Sequence, residues 1–151
     1  MINKKSITLG DFSLCRIGLG TNRVIDSENT RAVLKRAFEI GINFIDTANI
    51  YTCGESEKTI GITLSPYPEN LIIATKGGMV RGTAPNNQPE YLKNCIEESL
   101  KRLKTNCITH YQLHRVNPET PIEQTMTFFK QMQDEGKIKY IGLSEVTVEQ
   151  I

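Results

Sequence analysis

Short apolar stretches recur along the chain at intervals of about 30 residues, and each of them ends in a polar residue. Four of these stretches predict buried strands, at 43–46, 71–76, 109–114 and 138–144, and a weaker one at 15–21 comes before them. Two alternating arms at 6–9 and 12–14 surround Gly10 and Asp11, which is typical of a β-hairpin. The strands are nearly continuous apolar runs, a pattern that favours parallel strands covered on both faces.

Helical patterns fill the intervals between the predicted strands. Apolar residues recur with helical spacing at 30–40, 57–64, 89–103 and in the segment after Thr120. The residues from Thr120 to Glu123 predict a capping box with Pro121 at the first helical position, and Gly41 and Gly136 are placed to end helices. This order of elements predicts an α/β protein with a parallel sheet. Two architectures fit it, an open doubly wound sheet and a closed eight-fold barrel.

The last residues predict the start of a further helix. Thr147 to Gln150 form a second capping box, with Val146 and Ile151 in the positions of a hydrophobic staple. A complete barrel needs about 250 residues, and only about four and a half of its eight units are present, so we expect a truncated chain or one part of a longer protein. Open sheet edges and uncovered apolar faces would then favour self-association.

Composition narrows the classes of partner. The 18 Lys and Arg residues nearly balance the 17 Asp and Glu residues, so no excess charge favours nucleic acid or an anionic membrane. No apolar run approaches the roughly 20 residues of a membrane span, and no apolar signal core follows the first five residues, so we expect a cytoplasmic protein. The four cysteines form no CxxC pair, which favours free thiols over a metal site or a disulfide framework.

Four reactive side chains follow the ends of the predicted strands: Asp46, Tyr51, Lys76 and His114. The carboxyl ends of parallel strands meet at one edge, so we expect these groups to lie together. A lysine cation favours the phenolate form of Tyr51 and makes it a better proton donor, and Asp46 can hold Lys76 in place. No Ser or Cys nucleophile with an adjacent base accompanies them, so the group suits proton donation to an oxygen better than acyl transfer. Each residue taken singly also has a purely structural interpretation.

Four ordered motifs resemble those of the aldo-keto reductase family. The run at 44–51 with the Gly54 and Ser56 region after it is similar to the family signature, and the runs at 73–76, 111–115 and 136–144 are similar to its third, fourth and fifth strand motifs. The resemblance implies a (β/α)₈ TIM barrel with an N-terminal hairpin over the barrel floor. Residues 1–151 would be the N-terminal part of that single barrel domain, ending at the start of the fifth helix.

The resemblance also implies a chemistry, reversible hydride transfer between NADPH and a small-molecule aldehyde or ketone. By motif, Tyr51 would be the general acid, assisted by Lys76 and Asp46, and His114 would orient the carbonyl. The residues implied to bind the cofactor are Gly20, Thr21, Asn22, Asp46 and Ser144. Glu145 follows Ser144 where many family members carry Asn. Two alternatives stay open, a non-catalytic redox-sensing subunit of the same fold and an inactive truncated product.

Overall fold

The computed structural model describes residues 6–151. Its strands are β1 (Ser6–Leu9), β2 (Phe12–Cys15), β3 (Leu19–Gly20), β4 (Phe44–Asp46), β5 (Ile72–Gly77), β6 (Ile108–Leu113) and β7 (Ile138–Leu143). Its helices are α1 (Glu28–Glu39), α2 (Glu55–Leu64), α3 (Pro89–Leu103) and α4 (Ile122–Asp134). Short 3₁₀ turns lie at Tyr51–Gly54 and Val148–Gln150.

The strand order decides between the two predicted architectures. Strands β3 to β7 form one parallel sheet in which each strand lies beside the one before it in the chain. A doubly wound sheet reverses its strand order at a switch point, whereas a barrel adds its strands in sequence. The α/β fold with part of an eight-fold barrel is therefore confirmed. Within the described residues, β3 and β7 each have one neighbour in this sheet, and self-association through these edges stays a prediction.

The parallel register separates the side chains of the sheet into two faces. Thr75 of β5 pairs with Tyr111 of β6, and both are fully buried. Tyr111 packs edge-on against Phe129 of α4 with ring centroids 5.4 Å apart, so this is the face that the helices cover. Because side chains alternate along a strand, the neighbouring residues Lys76 and His110 belong to the opposite, inner face.

The hairpin of β1 and β2 lies at the amino ends of the parallel strands. Asn43, just before β4, accepts a hydrogen bond from the N–H of Cys15 at 2.8 Å and donates one to the carbonyl of Ser13 at 3.0 Å. Tyr140, near the start of β7, donates to the Asp11 carboxylate at 2.9 Å. The hairpin is therefore at the end opposite to the predicted site, where the family resemblance places it.

Two predicted element ends were wrong because hydrogen bonds to residues distant in the sequence replace the local pattern. The weak strand at 15–21 is only two residues long, because Cys15 pairs with Ser6 in the hairpin instead. The predicted capping box at Thr120 does not form, and Pro121 is itself the N-cap of α4. Thr120 is buried, and its hydroxyl accepts a hydrogen bond from the side chain of Gln88 at 3.3 Å.

Other helix ends follow local capping rules. The Ser27 hydroxyl accepts a hydrogen bond from the N–H of Thr30 and starts α1 two residues before the predicted position. The capping box of Thr147 and Gln150 is confirmed, and it begins a 3₁₀ turn. No helix in residues 6–151 is long and apolar enough to cross a membrane.

Candidate active site

Lys76 is the centre of a polar cluster at the carboxyl edge of the sheet. Strand β5 is buried on both faces, and the Lys76 side chain is only 7% exposed. Its Nζ atom lies 2.7 Å from the Asp46 carboxylate, 2.8 Å from the Thr47 carbonyl oxygen and 3.4 Å from the Tyr51 hydroxyl. An ammonium group has three N–H donors, so these three acceptors use all of them and hold the group in place.

Tyr51 reaches Lys76 because the backbone between β4 and α2 turns sharply after it. Thr52 and Cys53 have φ angles of 47° and 57°, and Gly54 follows with a φ of 88°. The left-handed region is uncommon for non-glycine residues, and a β-branched residue such as Thr is a true outlier there. The Thr52 hydroxyl donates to the carbonyl of Val24 at 2.7 Å, which helps to hold this strained turn.

His114 completes the cluster as the first residue after β6. Its ring is edge-on to that of Tyr51, with centroids 5.8 Å apart and planes at 81°. Burial lowers the pKa of His114, and the positive charges of Lys76 and Arg115 lower it further. The imidazole is therefore neutral at neutral pH and has one N–H to donate.

The structure divides the predicted cofactor-binding residues into exposed and buried ones. Gly20 pairs with Asp46 in the sheet, and among residues 6–151 no atom lies within 4 Å of where a side-chain Cβ at Gly20 would stand. Asn22 is exposed, and Ser144 is half-buried at the end of β7. Thr21 differs, because it is buried and its hydroxyl donates to the backbone carbonyl of Asp46 at 2.8 Å. Thr21 therefore supports the site from within the protein.

Comparisons with known proteins identify the family of the chain. The sequence model described as the aldo/keto reductase family matches residues 16–151. The chain belongs to the aldo/keto reductase family. The family resemblance of the sequence motifs is thus confirmed.

Relatives of this family match nearly the whole chain. The chain is 40% identical over 160 aligned residues to an oxidoreductase from Schizosaccharomyces pombe. This alignment covers 97% of the chain and 52% of that protein. It is 37% identical over 131 aligned residues to aldo-keto reductase yakc of the same organism, whose name includes NADP(+). This second alignment covers 82% of the chain and 38% of yakc. The holo form of the aldo-keto reductase AKR11C1 from Bacillus halodurans has a TM-score of 0.83 at 31% identity and covers 94% of this chain. The chain spans about half the length of the curated relatives it matches.

Two polar features near the cluster were not predicted from the sequence. The hydroxyls of Thr47 and Ser56, on either side of Tyr51 in the chain, bond to each other at 2.8 Å. At the rim of the site, Arg115 and Glu145 form an ion pair. Thr47, Arg115 and Glu145 each directly follow a predicted site residue, and that adjacency is the signal that could have found them.

Proposed function

We propose that this chain supplies the proton-donating site of an NADPH-dependent oxidoreductase that reduces an aldehyde or ketone to an alcohol. The observation that carries the proposal is the buried Lys76 ammonium between the Asp46 carboxylate and the Tyr51 phenol, beside the neutral His114. A positioned acid next to a cation suits protonation of an oxygen that gains negative charge. The NADP(+) in one relative's name and the holo form of a structural neighbour support the choice of cofactor.

Tyr51 is the general acid in this mechanism. Lys76 donates a hydrogen bond to the phenol oxygen, so the phenol hydrogen stays free for the substrate oxygen. After proton transfer, the phenolate would lie 3.4 Å from the Lys76 ammonium. Two opposite unit charges at that distance attract by about 5 kcal/mol at an effective dielectric constant of about 20. The Asp46 carboxylate offsets part of this attraction, so the net stabilisation of the phenolate is smaller.

His114 orients the substrate, because its neutral ring can donate its N–H to a carbonyl oxygen. NADPH, when bound, supplies the hydride that the carbonyl carbon accepts. The sheet surface at Gly20, beside the partly exposed Asp46 carboxylate, is open within the described residues and leaves room for a ring such as nicotinamide. The residues that would hold this end of the cofactor are Gly20, Asn22, Asp46 and Ser144, with Thr21 supporting Asp46 from below.

Tyr51→Phe tests the proposal in the complete protein that carries this sequence. Phe keeps the ring and loses the proton, so we expect NADPH oxidation with a generic aldehyde to fall by about 10²- to 10⁴-fold. NADPH binding, measured by fluorescence titration, should be kept. Tyr67→Phe is the matched control, because the Tyr67 hydroxyl donates to the Leu103 carbonyl at 2.6 Å, outside the site, and this variant should turn over like the parent.

Three results would change the assignment. A Tyr51→Phe protein that keeps about half of the parent turnover would remove Tyr51 as the acid. A parent protein that binds NADPH but reduces no carbonyl would favour a redox-sensing subunit. A parent that neither binds NADPH nor reduces a carbonyl would favour an inactive product.

A further inference from the structure

A chain of buried hydroxyl groups joins the two ends of the loop that carries the proposed proton donor. Thr21, Thr47 and Ser56 are at most 1% exposed. The Ser56 Oγ atom lies 2.8 Å from the hydroxyl of Thr47 and 2.8 Å from that of Thr21, and the Thr21 hydroxyl donates to the Asp46 carbonyl at 2.8 Å. Each hydroxyl has one hydrogen, and a carbonyl only accepts. The Ser56 hydroxyl has two acceptors on Thr21, the hydroxyl oxygen at 2.8 Å and the backbone carbonyl at 3.0 Å, so the Thr47 hydroxyl is the donor to Ser56.

The bond between Thr47 and Ser56 closes the loop that carries Tyr51. Residues 48–55 lie between its two ends. The Thr47 carbonyl accepts a hydrogen bond from Lys76 Nζ at 2.8 Å, and the Thr47 N–H donates to the Ala74 carbonyl of β5 at 2.8 Å. Thr47 thus holds Lys76 with its backbone and the far end of the Tyr51 loop with its side chain.

We propose that Ser56 is a positioning residue, whose hydroxyl closes the Tyr51 loop onto Thr47 and keeps the phenol within reach of the Lys76 ammonium. The inference rests on the proposed function of Tyr51, and Ser56 itself touches neither substrate nor cofactor. The strained backbone after Tyr51 calls for such a closure, because residues with unfavourable φ values persist only where the surrounding structure enforces them.

Four variants separate the effect of the hydrogen bond between Thr47 and Ser56 from the effect of side-chain packing. Ser56→Ala removes the central hydroxyl and leaves the Thr47 hydroxyl buried without its acceptor. Thr47→Val removes the partner hydroxyl with little change of shape, whereas Thr47→Ser keeps the hydroxyl and loses a methyl group. Ser99→Ala is the matched control, because Ser99 is a fully buried helical serine on α3 and lies outside the loop closure.

The first measurement does not depend on activity. All three ammonium hydrogens of Lys76 are bonded, so nitrogen–proton NMR should detect them, and Lys76→Arg should remove and thereby assign the signal. We expect the Lys76 ammonium hydrogens to exchange with water at least about ten-fold faster in Ser56→Ala and Thr47→Val than in the parent. Thr47→Ser and Ser99→Ala should keep the parent rate. Equal exchange in Ser56→Ala and Ser99→Ala would overturn the proposal, and if Ser56→Ala does not fold, equal exchange in the two Thr47 variants would overturn it.

The second measurement is kcat and KM for carbonyl reduction by the complete protein. A misplaced phenol slows the chemical step, so kcat should change more than KM does. We expect kcat to fall by about ten- to hundred-fold in Ser56→Ala and Thr47→Val. Values of kcat and KM identical to those of the parent in all four variants would remove the positioning role and leave the proposed function standing. A parent that reduces no carbonyl would refute the proposed function, and the exchange measurement would still decide what Ser56 does for Lys76.

Discussion

Glu57 and Arg102 form a buried ion pair behind the site, and Glu57→Gln tests how much this pair stabilises the protein. Glu57 is fully buried on α2, and its two carboxylate oxygens have different partners. One accepts a hydrogen bond from the Thr75 hydroxyl at 2.5 Å, and the other accepts one from Arg102 Nε at 2.7 Å. The carboxylate therefore joins α2 to β5, next to Lys76, and to α3.

The expected magnitude follows from the unequal burial of the two partners. Removing one member of a buried pair costs about 3–5 kcal/mol of unfolding free energy. The Arg102 side chain is 25% exposed and has a second carboxylate, that of Glu98, at 3.9 Å. Water and Glu98 thus compensate Arg102 in part, and Gln keeps the volume of Glu57, so we expect Glu57→Gln to cost about 2–3 kcal/mol. Arg102→Met should cost more, about 4 kcal/mol, because it leaves a fully buried carboxylate without its cation.

Urea unfolding of the complete protein, followed by circular dichroism, measures both losses if the m-values stay at the parent value. Glu98→Gln is the control, because that side chain is 53% exposed, and we expect it to cost less than about 1 kcal/mol. The reasoning is wrong if Glu57→Gln costs no more than Glu98→Gln, or if Arg102→Met is the milder of the two changes at the buried pair.

Two further predictions concern the charges around Tyr51. Lys76→Met should slow carbonyl reduction by about 10²- to 10⁴-fold, and Lys76→Arg should rescue poorly, since a planar guanidinium does not reproduce an ammonium with three acceptors. A Lys76→Met protein that keeps about half of the parent turnover would contradict this. Burial lowers the pKa of His110 and His114, so the unfolded chain binds protons more readily and stability falls as the pH drops below about 6.5. The melting temperature of the parent should fall between about pH 7.5 and 5.5, and this fall should be smaller in His110→Leu and in His114→Asn. The same fall in both variants as in the parent would show that these histidines do not cause it.

The sequence by itself determined the order of elements and the edge at which the reactive groups gather. Periodicity and composition are properties of neighbouring residues, so apolar runs such as 71–76 predict strands without knowledge of their partners. Parallel strands then bring residues such as Asp46 and Lys76 to one edge, whatever the details of packing. For this reason the cluster of Asp46, Tyr51, Lys76 and His114 could be predicted before any distance was known.

Only the tertiary structure decided how those groups are held. Thr120 has the local pattern of a helix cap, yet its hydroxyl bonds to Gln88, 32 residues away. The Thr21 hydroxyl bonds to the backbone carbonyl of Asp46, 25 residues away. The closure between Thr47 and Ser56 depends on a left-handed turn that no residue preference predicts. A hydroxyl can serve many partners equally well, and its choice depends on which acceptor the folded backbone brings within about 3 Å, which only long-range packing sets.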